Sequence, residues 1–148
     1  RPEVVLVILW IPGDASYEYG GSWQQPCDTS YDSLYATRLR SALETIKHEG
    51  SRVGLVTGPY DTFDATNRER RRRVDCVNRL HERVARETGA TLVDLKRHVC
   101  PQPPSCVSMV DGQVLRSDGV HFRGAGARIV GRWILQQIRA ATPTRPER

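Results

Sequence analysis

The sequence predicts an α/β chain, a three-layer α/β/α arrangement around a parallel sheet. Three short apolar runs carry that expectation: Val4-Val5-Leu6-Val7-Ile8-Leu9, Val53-Gly54-Leu55-Val56-Thr57 and Thr91-Leu92-Val93-Asp94-Leu95. Segments with helical periodicity separate them, and a β-α-β-α-β-α order calls for parallel neighbours joined by right-handed crossovers. A chain of 148 residues is long enough for one such domain with one hydrophobic core.

The first run is continuous and β-branched, as expected of a strand buried on both faces of a parallel sheet. From Trp10 to Ser30 the chain is rich in Gly, Pro, Tyr, Ser and Asp and reads as a long loop. A helix is expected from about Ser33 to His48, with Tyr35, Leu39, Ala42, Leu43 and Ile46 on its apolar face and Gly50 just past its end. Gly58-Pro59 stops the second strand. After a polar loop a helix runs from about Asn67 to Thr88, with Val74, Val77, Leu80 and Val84 as its stripe and Gly89 ending it. A Cys- and Pro-rich loop follows the third strand. Met109–Leu115 suggests a small hairpin around Asp111-Gly112. The last helix spans about Gly124 to Ala140, packing Ile129, Val130, Trp133, Ile134 and Ile138. Residues 1–141 are thus expected to form the domain and 142–148 a flexible, Pro-containing tail.

Composition excludes several classes. Apolar residues make up 39% and charged residues 26%, and no apolar run approaches the about 18 residues of a membrane span. The formal charge of +5 is a weak preference for anionic surfaces and falls short of a nucleic-acid-binding density. Its densest part is Arg68-Glu69-Arg70-Arg71-Arg72-Arg73. That run is expected to be a solvated face, with contact to anionic headgroups or acidic glycans as the functional alternative. No aromatic residues alternate with these arginines to stack bases. Cations near a helix start oppose the macrodipole, so an anionic neighbour is expected there. His48, His81 and His98 lack partners at metal-ligand spacing, and no metal or cofactor is implied.

The four cysteines, Cys27, Cys76, Cys100 and Cys106, lack CxxC spacing. Two disulfides in an oxidising compartment are the favoured reading, against four buried thiols in a cytosolic protein. Of the three connectivities, Cys100–Cys106 across the Pro-rich loop is preferred, leaving Cys27 with Cys76.

Chemistry concentrates in Arg116-Ser117-Asp118-Gly119-Val120-His121-Phe122. An Asp three residues before a His, with a Gly between them, can place a carboxylate on the imidazole. The carboxylate accepts from Nδ1, fixes the tautomer, and directs Nε2 to the work of a general base. The competing reading is an Asp that caps the final helix beside a partly exposed His. In parallel sheets sites form beyond the carboxyl ends of the strands, where Trp10–Ser16, Gly58–Asp64, Asp94–Arg97 and Asp118–His121 are expected. Gly13-Asp14-Ala15-Ser16 imitates a Gly-Asp-Ser nucleophile turn, but the inserted Ala moves the hydroxyl by one residue and no amphipathic helix follows directly. Ser16 therefore reads as a loop serine. Asp94 reads as a cap or turn residue. Tyr17, Tyr19, Trp10 and Trp23 crowd one loop, as packing under it or as a sugar-stacking surface.

Leu115-Arg116-Ser117-Asp118-Gly119-Val120-His121-Phe122, continued by Gly124-Ala125-Gly126-Ala127, resembles the last motif block of the SGNH (GDSL-like) hydrolase superfamily. Looser matches lie at Arg1–Val5, Val56–Tyr60 and Arg73–Asn78. More narrowly, the chain resembles the SGNH domains fused to bacterial membrane acyltransferase-3 proteins. The resemblance implies an SGNH-hydrolase-like (flavodoxin-like) fold whose N-terminal part, with the Gly-Asp-Ser block, precedes Arg1. It implies Asp118 as orienting acid, His121 as general base and Trp10 as a pocket-lining, substrate-binding residue. The family's Gly-x-Asn-Asp block falls on Leu9–Asp14, where no Asn stands to supply an oxyanion-hole amide.

The function so implied is handling of O-acyl esters. The domain would hydrolyse them or pass an acyl group, acetyl by preference, to a glycan or cell-envelope hydroxyl, with a Ser from outside this segment. Implied partners are an acylated carbohydrate or other small acyl ester and a membrane acyltransferase module in the same polypeptide. The implied location is extracytoplasmic and membrane-tethered. Two other readings stand beside it: a non-catalytic SGNH-like glycan-binding or accessory module, and an unrelated basic domain that holds an anionic polymer through Arg68, Arg70, Arg71, Arg72 and Arg73.

Overall fold

The computed structural model describes residues 2–9 and 15–141. Trp10, and with it Gly13-Asp14 and the expected tail at 142–148, lies outside the described residues. The chain divides into two compact units, Arg1–Cys106 and Val107–Arg148.

In the first unit the elements are β1 (Val4–Ile8), β2 (Tyr17–Tyr19), β3 (Ser22–Gln24), α1 (Thr29–His48), β4 (Arg52–Val56), α2 (Thr62–Thr66), α3 (Arg68–Thr88), β5 (Thr91–Val93) and α4 (Leu95–Val99). The three expected strands pair in parallel in the order β1-β4-β5. Val5 stands beside Val53 and Val7 beside Leu55, while Val56 stands beside Val93. Central β4 is buried from Val53 to Val56, as its apolar run requires. Strand β1 departs from expectation: Val4 to Val7 are only half-buried and Ile8 is 58% exposed. It borders β4 on one side and forms an edge of this sheet, so its apolar run does not gain two-faced burial.

Helices α1 and α3 pack against each other and against β4. Leu39 and Leu43 from α1, Val53 and Leu55 from β4, and Leu80 and Val84 from α3 make the core cluster. The stripe expected on α3 is buried throughout. On α1 the stripe is shifted, since Ala42 is exposed and Ala36 and Tyr31 are buried instead. The helix also starts four residues before Ser33, at Thr29, because Asp28 already has extended dihedrals and ends the preceding turn. Asn67 caps α3 by accepting from the amides of Glu69 and Arg70, and Gly89 closes it in the left-handed region at φ 66°.

The expected long loop contains a hairpin. Tyr17 pairs with Gln24 and Tyr19 with Ser22 around Gly20-Gly21, both at positive φ (63° and 77°), the geometry of a type I′ turn. The polar loop after β4 likewise holds α2, which opens with a capping box in which Asp61 and Asp64 each bond the other's amide. Disulfides join Cys27 to Cys76 and Cys100 to Cys106. The first ties the start of α1 to α3, and the second closes the Pro-rich loop.

The second unit comprises β6 (Met109–Val110), β7 (Gln113–Val114) and α5 (Gly124–Ala140). The hairpin turns at Asp111-Gly112 as expected, with both residues at positive φ. Val130, Ile134 and Ile138 form the buried stripe of α5. Gly126 lets α5 lie directly on the backbone of Leu115: a Cβ there would stand 2.7 Å from the Leu115 carbonyl carbon. This contact brackets the segment 116–123 between a fixed strand end and a fixed helix start.

Three stability predictions follow from this packing. Gly126→Ala forces Leu115 away from α5, and overpacking of this kind costs about 1–3 kcal/mol; a chemical denaturation midpoint reads it, and an unchanged midpoint shows that the two backbones separate freely. The Cys27–Cys76 bridge spans 49 residues and Cys100–Cys106 spans 6. Chain entropy assigns the first about 4 kcal/mol and the second about 2 kcal/mol, so serine replacement of the first pair should lower the midpoint more.

The third concerns His81, which is fully buried and bonded through Nε2 to the Tyr35 hydroxyl at 2.8 Å. Burial pushes its imidazole down to about 4. The unfolded chain takes up that proton near the ordinary value of about 6.5, whereas the folded chain refuses it until lower pH. Stability from this residue is therefore complete above pH about 6.5 and is lost as pH falls toward 4, by about 2 kcal/mol at pH 5. The urea midpoint of His81→Gln should fall less between pH 7 and pH 5 than that of the parent; equal falls refute it.

Candidate active site

The Asp118–His121 turn is built from one carboxylate and three N–H donors. Gly119 sits at φ 73° and its amide donates to the Arg116 carbonyl at 3.1 Å, which turns the chain sharply. That turn aims the amides of Val120 and His121 at Asp118 Oδ1, at 2.9 and 2.7 Å. The other oxygen, Oδ2, meets His121 Nδ1 at 2.9 Å. The Arg123 guanidinium approaches the same oxygen at 3.6 Å. Arg116 lies over the Phe122 ring at 5.6 Å from its centroid, so both flanks of the turn carry a positioned cation.

The backbone amide of His121, then its imidazole, then the Val120 amide hold the Asp118 carboxyl far below the usual carboxylate range. The group is an anion at neutral pH and accepts a hydrogen bond from Nδ1. With Nδ1 so engaged, Nε2 is the nitrogen oriented for proton transfer. The imidazole is 56% exposed and the carboxylate 39%.

Geometry separates this arrangement from a helix cap. The N-cap of α5 is Arg123, which makes no side-chain capping bond, and Asp118 bonds residues 120 and 121 ahead of the helix. The carboxylate serves the imidazole and its own turn.

Elsewhere the expected positions take structural roles. Asp94 caps α4 by accepting from the Arg97 amide at 3.0 Å, and it also accepts from Thr57 Oγ1 at 3.0 Å. Ser16 is exposed just before β2. Among the described residues no cluster of His, Cys, Asp and Glu could hold a metal ion.

Four side chains that hold the loops after β4 and β5 were not individually singled out from sequence: Asn78 and Asp75 on α3, Tyr60 and Lys96. Asn78 is buried and clamps Gly58, accepting from its amide and donating to its carbonyl, both at 2.9 Å. Asp75 Oδ1 accepts from Tyr60 at 2.7 Å and from Lys96 Nζ at 2.5 Å. Burial, and then the hydrogen bond that its hydroxyl donates to Asp75, raise the Tyr60 phenol. The signal available was the position of Tyr60 and Lys96, each just beyond the carboxyl end of a strand.

The Arg68–Arg73 run is largely engaged within the chain. Arg70 is paired with Asp61 and Asp64, Arg71 donates to the carbonyl of Ala65, and Arg72 and Arg73 reach Glu69.

No family model matches the chain, and no curated protein matches it. Among solved structures it is similar to the crystal structure of the lipase/acylhydrolase from Enterococcus faecalis, with a TM-score of 0.61 and 20% sequence identity. The likeness covers 99% of this chain and 66% of that one, so the chain spans just under two thirds of its neighbour's length. It establishes the fold alone: a mixed α/β chain with a parallel sheet.

Proposed function

We propose that Asp118 and His121 are the acid and the general base of a Ser-His-Asp centre that handles acyl esters, its serine lying outside this sequence. The observation that carries the reading is the Oδ2–Nδ1 contact of 2.9 Å on a turn whose backbone holds the carboxylate in place. The fold shared with a lipase/acylhydrolase supports the same reaction class. In the reaction His121 Nε2 takes the proton of the serine hydroxyl as its oxygen attacks the ester carbonyl. The imidazolium that forms faces Asp118, and then returns the proton to the departing alkoxide. Water, or the hydroxyl of an acceptor, resolves the acyl-enzyme by the same proton path.

Transfer of an acetyl group to a glycan or cell-envelope hydroxyl is the finer form of this proposal, with a membrane acyltransferase module in the same polypeptide as donor partner. The two disulfides suit an oxidising, extracytoplasmic compartment. No helix among the described residues is long and apolar enough to cross a membrane.

The test is turnover of a small aryl acetate by the full protein, alone and with His121→Ala or Asp118→Asn. His121→Ala should lower kcat by about 100-fold or more, the usual scale of general-base catalysis, with circular dichroism unchanged. Asp118→Asn should also lower kcat, because an amide can present its N–H₂ to Nδ1 and favour the wrong tautomer. A variant at position 121 that keeps its rate sinks the assignment.

A further inference from the structure

The first unit carries a cleft between its hairpin and α1. It has a volume of about 300 Å³, and its lining includes the hairpin residues Tyr17, Glu18, Tyr19 and Gln24 and Tyr31, Tyr35 and Arg38 of α1. Its size falls at the lower end of small-molecule sites, about 300–1,000 Å³.

Four tyrosines contribute to its walls. Tyr17 stacks on Tyr31 at 6.0 Å between centroids, and Tyr31 on Tyr35 at 5.8 Å with planes 8° apart. Tyr35 continues the column onto buried His81, which fixes its inner end. The outer end is open: Tyr17 and Tyr19 are 54% and 50% exposed. Strand alternation puts these two rings on one face of the hairpin, and the Gly20-Gly21 turn holds that face in register. Leaving so much ring surface in water forgoes the stabilisation that its burial would give.

The polar groups at the same cleft narrow the occupant. Arg38 is exposed and forms no ion pair with any described residue. The Tyr31 hydroxyl is buried and has no hydrogen-bond partner among the described residues. A hydrocarbon ligand would cover the rings and strand these groups. A sugar ring offers a flat C–H face for the tyrosines and a rim of hydroxyls for the guanidinium and the phenols.

We propose that this cleft binds a saccharide, with a sugar ring stacked on Tyr17 and Tyr19 and anchored through Arg38. The guanidinium suits vicinal hydroxyls and also a sugar carboxylate, so the ligand is a neutral or a uronate sugar, and the two are told apart by experiment. The site lies wholly within the first unit and does not depend on the reading of Asp118 and His121.

The full protein is titrated by calorimetry and saturation-transfer NMR with neutral (gluco-, manno- and N-acetylglucosamine) and uronate oligosaccharides. At least one series should bind with Kd below about 1 mM. Tyr19→Ala and Arg38→Ala should each weaken that binding by about tenfold with unchanged thermal midpoints, while Tyr19→Trp keeps it because the stacking face is retained. His121→Ala should bind as the parent does even where turnover is lost, which separates this site from the acyl-ester reading. Binding of neither series, or binding indifferent to both alanine variants, overturns the proposal.

Discussion

Everything distinctive about the second unit depends on one carboxylate with divided duties. Asp118 Oδ1 takes the amides of Val120 and His121, and Oδ2 takes the imidazole. The first pair of bonds is local and sets the direction of the side chain, so the third does not have to. An imidazole held only by a flexible carboxylate would lose rotamer entropy each time it was oriented; here the acceptor is already fixed by the chain that carries the donor. Gly119 at positive φ makes this possible, since a side chain there would resist the turn that brings both amides to one oxygen. Gly126 secures the other side by letting α5 press on Leu115, the residue from which the turn departs.

The polar network at the ends of β4 and β5 has a different character. Thr57, Asp94 and the Lys96 amide form a closed set, with Thr57 Oγ1 donating to Asp94 and accepting from Lys96 N at 3.0 Å. Asn78 occupies both backbone groups of Gly58. Groups that satisfy one another in this way fix a loop and have little capacity left for chemistry. The Asp75–Lys96–Tyr60 cluster is similar: one carboxylate oxygen receives both donors, and Lys96 also lies over the Tyr60 ring at 5.0 Å. These contacts hold the strand ends together, in contrast to the half-exposed imidazole of His121.

Much of this was legible in the residues, and the exceptions have physical causes. The parallel strands, the α3 stripe, the last helix and the Asp111-Gly112 hairpin follow from periodicity and turn chemistry. The hairpin at Tyr17–Gln24 carries the same signal, Gly-Gly between alternating aromatics, but its strands are three residues each and vanish inside a loop-like composition. Strand β1 misleads because a β-branched run reports what a strand can bury and says nothing of its neighbours. For α1, Tyr31 and Ala36 replace Ala42 because the helix starts earlier and meets the hairpin, a tertiary contact no local pattern encodes. The Asp-x-x-His spacing permits a dyad and a helix cap alike; only coordinates distinguish the acceptor of residues 120 and 121 from a cap on α5.

The arginine run shows how far a charge count can mislead about a surface. At the start of α3 several cations meet the positive end of a helix, an arrangement that is unfavourable unless anions stand close by. The chain supplies them. Buried Asp64 lies 3.0 Å from Arg70, with Asp61 at 3.5 Å, and burial raises the Asp64 carboxyl against the pull of that guanidinium. Glu69 in the first turn is held down to about 2, chiefly by its hydrogen bond from Arg72. Arg71 turns back onto the carbonyl of Ala65, closing the end of α2. An anionic polymer arriving at this helix would have to displace partners already at hydrogen-bond distance before gaining new ones. The net charge of +5 is therefore not the charge such a ligand would meet here, and the run is better understood as the means by which α2 is fastened to α3.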